Sequence, residues 1–317
     1  MLPTAFTQVV LTSSSSATLQ EQADIQFSSF NGAVTVDLVN GTAGTLFPTG
    51  TERQPSNNFT DAKVIAVERG FLSFRVIGDA NLDSGVDFTN FSFMGQGQNL
   101  SAFTLDPAAT FINSSFFDAT ISGTLDGDSH IEDCIIGTLT FVSGVITNCI
   151  LSAGTITLGG SLVAHFINCA SGVPGASTPI IDMGGSGQDL ALRNYSGGIE
   201  IRNKTGTDDV SIDMNSGHVI LAATVAVTTN NVIIRGVGKL TDNSTGVNPV
   251  NELVEGAQLQ IMSKIMRNRM ETNPVTGVMT VYDDDDVTVL LTGNIFEDVL
   301  AAQIYRGRGM ERRNRLT

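Results

Sequence analysis

The feature that most constrains the fold of this chain is a loose repeat between positions 110 and 170, with a period of roughly 15 to 20 residues. An Asn or Asp followed by a small residue recurs at Asn113, Asp133, Asn148 and Asn168. Short glycine-bounded strands lie between these positions, for example at residues 138–142. A unit of this size is typical of one coil of a β-solenoid. We therefore expect an all-β fold, a parallel β-helix or β-solenoid, in which Cys and Ile stack inside and Asn marks the corners.

Basic residues are distributed unevenly along the chain. No Lys or Arg occurs between Arg75 and Arg193, although the same segment contains 11 Asp and Glu. Exposed helix faces usually carry Lys and Arg, whereas this stretch is rich in Thr, Ser, Gly, Asn, Val and Ile, which indicates β-structure. The net charge of −15 disfavours nucleic acid and anionic membranes as partners. Since there is no run of ~18 apolar residues and no signal-peptide pattern, we expect no membrane insertion and synthesis in a cytoplasm.

Cofactor and metal sites are not predicted. Cys134, Cys149 and Cys169 form no C-x-x-C pair, so we expect them to stand above one another as small interior residues rather than as ligands. The three histidines have no partner at a recognisable spacing. Residues 283–286 are all Asp, but they lack the spacing of an EF-hand, which favours a plain acidic turn over a Ca²⁺ site.

The N-terminal part of the chain divides into two predicted segments. Residues 1–55 are expected to form an attachment region, in which the Asn40-Gly41 dipeptide predicts a β-hairpin. Residues 56–175 are expected to contain a short capping helix near residues 59–70 and then the solenoid coils. Asn58 is the expected N-cap of that helix, and Gly70 fits its left-handed C-terminal position.

A shorter repeat is predicted for residues 176–248. Alternating strands begin near Leu190, Ile199, Val210 and Val232, so that the first three follow one another closely and the last interval is twice as long. A unit of about ten residues cannot close a core alone. Three chains wrapped around one axis would supply the missing partner, which predicts a homotrimer.

The last predicted segment, residues 249–317, contains a helix, a β-hairpin and a basic tail. The helix is expected from Pro249 to Glu271, and its apolar stripe either packs on the end of the solenoid or forms a three-stranded bundle at a trimer axis. The hairpin is expected at residues 277–292. The candidate oligomerisation residues are Val254, Ala257, Ile261 and Ile265.

The basic tail stands out on an acidic chain. Positions 301–317 carry five Arg against one Glu, a net charge of +4, which leaves −19 on the rest of the chain. The tail is either a solvated, frayed terminus or a segment that docks on an acidic neighbour, which is a sister subunit or another protein. The candidate docking residues are Arg306, Arg308, Arg312, Arg313 and Arg315.

Four carboxylates raise the question of catalysis. Asp126, Asp128, Glu132 and Asp133 are the densest in the predicted solenoid, and paired carboxylates can cleave glycosidic bonds. The chain has no Trp, and the segment has no Lys or Arg to hold an anionic sugar or to stabilise a developing charge. These residues are therefore interpreted as acidic turn residues, and no catalytic residue is predicted.

The layout of the chain resembles that of a known group. A segment with Pro55, Asn57, Asn58 and Asp61, then a helix and a strand, then Gly/Asn/Cys coils is similar to the β-helix proteins of tailed-bacteriophage virions, the tail spikes and the tail or head fibres. The stretch from residue 272 to the Arg-rich end resembles terminal modules of phage virion proteins. The resemblance implies a homotrimer that is attached to the virion at one end and has a structural role or contacts the host surface at the other.

The function expected from this resemblance is structural. The chain would be a subunit of a virion fibre or spike, a rigid homotrimeric β-rod on the tail or baseplate that contacts other virion proteins and in some cases a host surface glycan or protein. The alternatives are a polysaccharide-cleaving tail-spike enzyme that uses Asp126, Asp128 or Glu132, and a capsid-surface (head) fibre. A cellular adhesin is a weaker alternative.

Overall fold

The structure, a computed structural model, describes residues 30–82, 85–160, 163–172, 178–184 and 187–254, most positions from 262 to 294, and the backbone of 311–313. The chain divides into two compact units, Met1–Leu253 and Val254–Thr317. As expected, it is an all-β protein with mostly parallel strands in a closed sheet. Among the described residues, no helix is long and apolar enough to cross a membrane.

Up to Val254, one residue past the boundary of the first unit, the described residues form one helix and twenty strands. The helix is α1 (Phe59–Arg69). The strands are β1 (Val34–Val36), β2 (Ser73–Val76), β3 (Ala80–Leu82), β4 (Ser92–Met94), β5 (Ala102–Leu105), β6 (Ser114–Phe117), β7 (Thr120–Glu132), β8 (Ile135–Thr147), β9 (Ile150–Leu151), β10 (Thr155–Leu158), β11 (Val163–Ile167), β12 (Ala170–Ser171), β13 (Ile180–Asp182), β14 (Asp189–Arg202), β15 (Val210–Leu221), β16 (Ala226–Val227), β17 (Val232–Val237), β18 (Lys239–Asp242), β19 (Thr245–Gly246) and β20 (Val250–Val254).

Most of these strands pair in three parallel ladders, while β16 and β19 pair in parallel as a separate two-stranded sheet. Ladder one joins β1, β2, β4, β6, the ends of β7 and β8, β11, and the starts of β14 and β15 to β17. Ladder two begins at β3 and β5 and continues through the starts of β7 and β8 to β9 and β12. Ladder three joins the middle of β7 and β8 to β10, β13 and the ends of β14 and β15, and then to β18. From β6 to β14 the chain runs through the three ladders repeatedly and always in the same order. We call one such circuit through the three ladders a pass.

The core is a set of stacked columns of apolar side chains. In ladder one, each residue of one column is in register with the next, and every member is fully buried. Ile131 follows Phe116 in the column after a short stretch of chain, whereas a much longer stretch separates Phe166 from Leu192. The buried side chains therefore stay in register although the number of residues in each pass varies. The column consists of Val34, Phe74, Phe93, Phe116, Ile131, Ile146, Phe166, Leu192, Ile212 and Ile234.

Asn and Asp occupy corners, as predicted. Asp133, Asn148 and Asn168 follow ladder one in the left-handed conformation, with φ of 53°, 55° and 54°, which these residues tolerate better than most. The side-chain amide of Asn168 donates to Oδ1 of Asn148 over 3.3 Å. Asn113 is not a member of this column, contrary to its place in the predicted repeat. It precedes its strand and donates to Oδ1 of Asn90 over 3.3 Å, so the equivalent of Asp133 one pass earlier is Asp118.

The cysteines stack in the core, which confirms their prediction as interior residues. All three are free and buried, and Cys134 N lies 3.4 Å from Sγ of Cys149. The hydrogen bond with Cys134, together with burial, raises the pKa of Cys149, and burial raises the pKa of Cys169 to about 11. The thiols of Cys149 and Cys169 are therefore protonated at neutral pH, and all three buried cysteines serve as small apolar groups.

The predicted capping helix is confirmed. Asn58 is the N-cap of α1, where its Oδ1 accepts the Asp61 N–H over 2.7 Å, and Gly70 follows with φ of 72°. Phe59 lies on the buried face of the helix and contacts Phe74 and Phe88 with ring centroids 5.9 and 5.7 Å apart. The helix therefore covers the first aromatic layers of the core.

The predicted hairpin at Asn40-Gly41 is wrong. Strand β1 pairs in parallel with β2, so the chain does not fold back beside itself. Oδ1 of Asp37 accepts the backbone N–H groups of Val39 and Asn40 over 3.0 and 2.8 Å, which forms a turn that leads away from the strand.

The separate short-repeat region is also wrong in its physical interpretation. Leu190, Val210 and Val232 stack on one another in ladder one, whereas Ile199 stacks on Val219 in a different ladder. All five side chains are buried. The short period therefore records two ladders within one longer pass, and the chain itself buries the inward side chains of both.

The second unit contains a four-stranded antiparallel sheet in the order β23, β22, β21, β24. The hairpin predicted at residues 277–292 is confirmed by the pairing of β22 with β23. The helix predicted from Pro249 to Glu271 is wrong at both ends, because β20 and β21 occupy them, and only residues 262 and 264–266 are helical among the described positions of that stretch. The strands are β21 (Met270–Thr272), β22 (Val278–Tyr282), β23 (Val289–Asn294) and β24 (Glu311–Arg313).

Candidate functional site

The outer surface of ladder one carries a cluster of polar and aromatic side chains. Strands β6 and β7 alternate, so that Phe116 and Ile131 point into the core while their neighbours point outward. Phe117 is in register with Glu132, and Ser115 with His130. We call the outward group Asp118, Asp128, Glu132 and Asp133, with Phe117 and His130 between them, the acidic face.

The centre of the acidic face is aromatic. The rings of Phe117 and His130 lie 6.0 Å apart at 37°, and both side chains are half-buried. Nε2 of His130 is 3.3 Å from Oε2 of Glu132. Beside these rings lies a shallow groove of about 260 Å³, lined in part by Asn113, Asp128 and His130. One phenyl and one imidazole ring, tilted against each other, thus lie among carboxylates on this surface.

Two of the carboxylates considered for catalysis have structural partners. Asp126 is exposed, but its Oδ1 accepts the backbone N–H of Phe111 from the preceding pass over 2.7 Å. Asp128 accepts a short hydrogen bond from the hydroxyl of Ser143 on the next pass. Both side chains therefore tie neighbouring passes together.

Two exposed aspartates, Asp118 and Asp133, occupy equivalent corners of adjacent passes. Asp118 and Asp133 both have φ of 53° and lie between in-register pairs, Phe117 with Glu132 on one side and Thr120 with Ile135 on the other. Equivalent positions on adjacent parallel strands are about 4.8 Å apart. Like charges at such positions destabilise a sheet. The pair was missed by sequence reasoning, although the recurrence of Asp118-Ala119 as Asp133-Cys134 was available as a signal.

Further along the same column, the chain uses Asn instead. Asn148, Asn168 and Asn194 occupy the equivalent corners, and Asn194 donates to Oδ1 of Asn168 over 2.9 Å. Amides in such a stack satisfy each other, whereas carboxylates only accept hydrogen bonds. The acidic face thus departs from the pattern that stabilises the rest of the column.

Basic partners are present elsewhere on the first unit. The ion pair Arg193–Asp213 has an N–O distance of 2.8 Å, and the pair Arg235–Glu252 has the same distance. Within the part of the chain that the structure describes, no Lys or Arg forms an ion pair with a carboxylate of the acidic face. This follows from the cation-free segment between Arg75 and Arg193.

Two of the four predicted oligomerisation residues are described. Val254 is half-buried at the end of β20, not in a helix, and Ile265 is half-buried in a helical stretch of the second unit. Ala257 and Ile261 lie outside the described residues. Because Val254 ends a strand, the helical stripe predicted for these residues does not include it.

The predicted docking arginines are described only in part. The backbones of Arg312 and Arg313 lie in β24, where they pair with Glu271 and Met270 of β21. Arg306, Arg308 and Arg315 lie outside the described residues.

The predicted aspartate turn is built around one carboxylate. Asp285 accepts hydrogen bonds from the Thr288 side chain and from the backbone N–H groups of Val287 and Thr288, which lower its pKa to about 2. Among the residues that the structure describes, no three His, Cys, Asp or Glu side chains are grouped closely enough to hold a metal ion.

A buried lysine was not anticipated from the sequence. Lys204 is 1% exposed, and its Nζ donates to the carbonyl oxygens of Thr205 and Ala226 over 2.7 and 2.9 Å. Burial lowers its pKa. The neighbouring Asp208, also buried, accepts the N–H groups of Gly187 and Thr205 over 2.8 Å each. This network fixes a loop between ladders.

Comparison with known proteins adds no functional assignment. No family model matches the chain, and neither a curated protein nor a solved structure matches it.

Proposed function

We propose that the first unit is a parallel β-helix and that the protein is a structural subunit of a virion fibre or spike of the tailed-bacteriophage type. The observation that carries this proposal is the column of fully buried residues in ladder one, in register from Val34 to Ile234. Such repetition builds a stiff rod, because every added layer makes the same backbone hydrogen bonds and buries the same kind of side chain. In this role the chain is a homotrimer, attached to the tail, the baseplate or the capsid surface.

The proposed mechanism is mechanical. Parallel ladders use their backbone N–H and C=O groups between layers, so bending or pulling must break many hydrogen bonds together. Apolar columns exclude water from the interior and oppose separation of the layers. The subunit would transmit force and set a distance, and its contacts with other virion proteins would lie at its ends.

Catalysis is not part of this proposal. Asp126 and Asp128 accept hydrogen bonds from adjacent passes, which favours a structural role for both. The groove beside Phe117 and His130 favours one alternative, a spike that binds or cleaves a host polysaccharide. Release of reducing ends from host capsule or lipopolysaccharide, lost in Asp128→Asn, would support that alternative over a purely structural role.

The first test is the native molar mass of the full chain, measured by light scattering and checked on an unheated denaturing gel. A mass of three times 33.4 kDa that survives detergent is the expected result. A monomer at all concentrations would contradict the trimeric fibre. Mass spectrometry of purified virus particles from the source tests the virion role directly, and absence of the protein from intact particles would overturn it.

A further inference from the structure

We propose that the outer surface of ladder two packs against the same ladder of a second copy of this chain. The inference rests on the proposed function, since it names the surface through which the copies of the proposed homotrimer meet.

Ladder two presents a column of uncharged side chains. Its strands alternate, so that Ile121, Ile136 and Leu151 are buried while their neighbours point outward. Six outward residues, each half-buried or exposed, are in register from one strand to the next, and we call them the uncharged column. It consists of Thr120, Ile135, Ile150, Ala170, Ser196 and Ser216.

The middle of the uncharged column is apolar. Ile135 is in register with Ile150, and Ile150 is 39% exposed. Because neighbouring strands are about 4.8 Å apart, the six positions extend over about 24 Å. Asn81, Thr104 and Ser122 begin a second outward row in the same ladder, which is also uncharged over these three positions. The core of a protein–protein interface is likewise depleted of charged residues.

The outward residues of the other two ladders are different. In ladder one, Arg193 forms an ion pair with Asp213. In ladder three, Arg202 pairs with Glu200 over 2.6 Å. These charged groups have partners within the same chain, so both surfaces are suited to contact with water.

The absence of charge points to a second copy as the occupant. Copies that lie side by side in the same direction place equal layers at equal heights, so each layer meets its own counterpart. Every charge on such a surface would face the same charge on the partner, which is unfavourable. In a chain of net charge −15, the uncharged column avoids this repulsion. A different protein that recognised this acidic chain would instead gain from opposite charges.

The number of copies follows from rotation about a common axis. Rotational symmetry brings the same surface of every copy to the axis, and three copies close the ring in the proposed trimer. The uncharged column would then face the axis over its whole length, and Ile150 would lie near its middle.

The first variant to test is Ile150→Lys in the full chain, with Val145→Lys as the matched control. Val145 is also apolar, half-buried and outward, but it lies in ladder one. Molar mass is measured by sedimentation velocity over a concentration series, and circular dichroism checks that both variants are folded. We expect Ile150→Lys to raise the concentration at which the trimer dissociates by at least about a hundredfold, because its charge must lose water in the contact. The control should stay within about twofold.

A second variant keeps the inference testable if Ile150→Lys does not fold. Ile150→Cys introduces no charge, and a short bis-maleimide should join two such chains into a covalent dimer on a denaturing gel. Val145→Cys should stay uncross-linked. The three native cysteines are buried, so the wild type serves as the blank.

The outcomes separate this inference from the proposed function. A wild-type trimer that persists in Ile150→Lys, with no cross-link in Ile150→Cys, would overturn the inference and leave the trimeric fibre intact. If that variant also failed to join virus particles, the occupant would be a different virion protein, and the inference would again be wrong. A wild-type dimer that cross-links in Ile150→Cys would support the surface and contradict the trimer. A monomer at all concentrations would contradict both.

Discussion

Phe93 is the residue whose removal should damage the fold most. Its ring is fully buried, and five other rings surround it at centroid distances from 5.1 to 6.4 Å. Phe116 is stacked on it at 5.1 Å and 8°. Truncation of a buried Phe to Ala costs about 3–5 kcal/mol, and each close ring pair adds about 0.5–1.5 kcal/mol. We expect Phe93→Ala to cost about 5 kcal/mol, because the surrounding rings are rigid and fill the cavity poorly.

The matched control is Phe117→Ala, which removes the same ring from the outer surface of the neighbouring strand β6. That ring is half-exposed, so we expect a cost below about 1 kcal/mol. Both variants are compared with the wild type by urea unfolding at a fixed protein concentration, because association would shift the midpoint. A loss under about 2 kcal/mol for Phe93→Ala with an unchanged m-value, or equal losses for both, would refute the stacked-column core.

Three further predictions concern titratable groups. Cys134, Cys149 and Cys169 should resist a thiol reagent at pH 8 and react after unfolding, because all three are buried in the folded chain. Rapid labelling of the folded chain would contradict this. Lys204 has a folded pKa below its unfolded value near 10.5, so burying its charged form lowers the stability of the fold at neutral pH. This loss disappears as the pH rises towards 10.5, so the stability should increase over that range. Lys204→Met should abolish the increase, as measured by melting temperatures at pH 7 and 10. Asp285 has a folded pKa of about 2 and an unfolded pKa of 3.8, so its hydrogen bonds should stabilise the hairpin fully above pH 3.8 and lose this effect as the pH falls through 2. Thr288→Val should raise the pKa of Asp285 measured by carboxyl NMR. An unchanged pKa would count against the hydrogen bonds.

The local signals in the sequence predicted local structure well. The cap at Asn58, the left-handed Gly70 and the stacked cysteines all depend on a residue's own conformation or size, which the sequence displays directly. The prediction of a hairpin at Asn40-Gly41 was wrong for a related reason. The dipeptide signals a turn, but the side chain of Asp37 determines where that turn leads, and the return strand lies far along the chain.

Register between distant passes was harder to predict. Strands near Leu190 and Ile199 resemble each other in pattern, yet they belong to different ladders of the same pass. Periodicity shows which face of a strand is buried but not which strand covers it. The equivalence of Asp118 and Asp133 was missed for the same reason. Asp118 and Asp133 look like two unrelated corner residues until the register of β6 with β7 places one above the other.

The variable length of the passes has a consequence for how such a chain changes over time. The block from position 128 to position 142 is a single complete pass, because Asp128 is in register with Ser143 and Ile131 with Ile146. Duplicating or deleting that block would leave each neighbouring layer in contact with the same kinds of side chain as before. Its gene can therefore lengthen or shorten the protein in increments of about 4.8 Å, one layer at a time, without redesign of the interior.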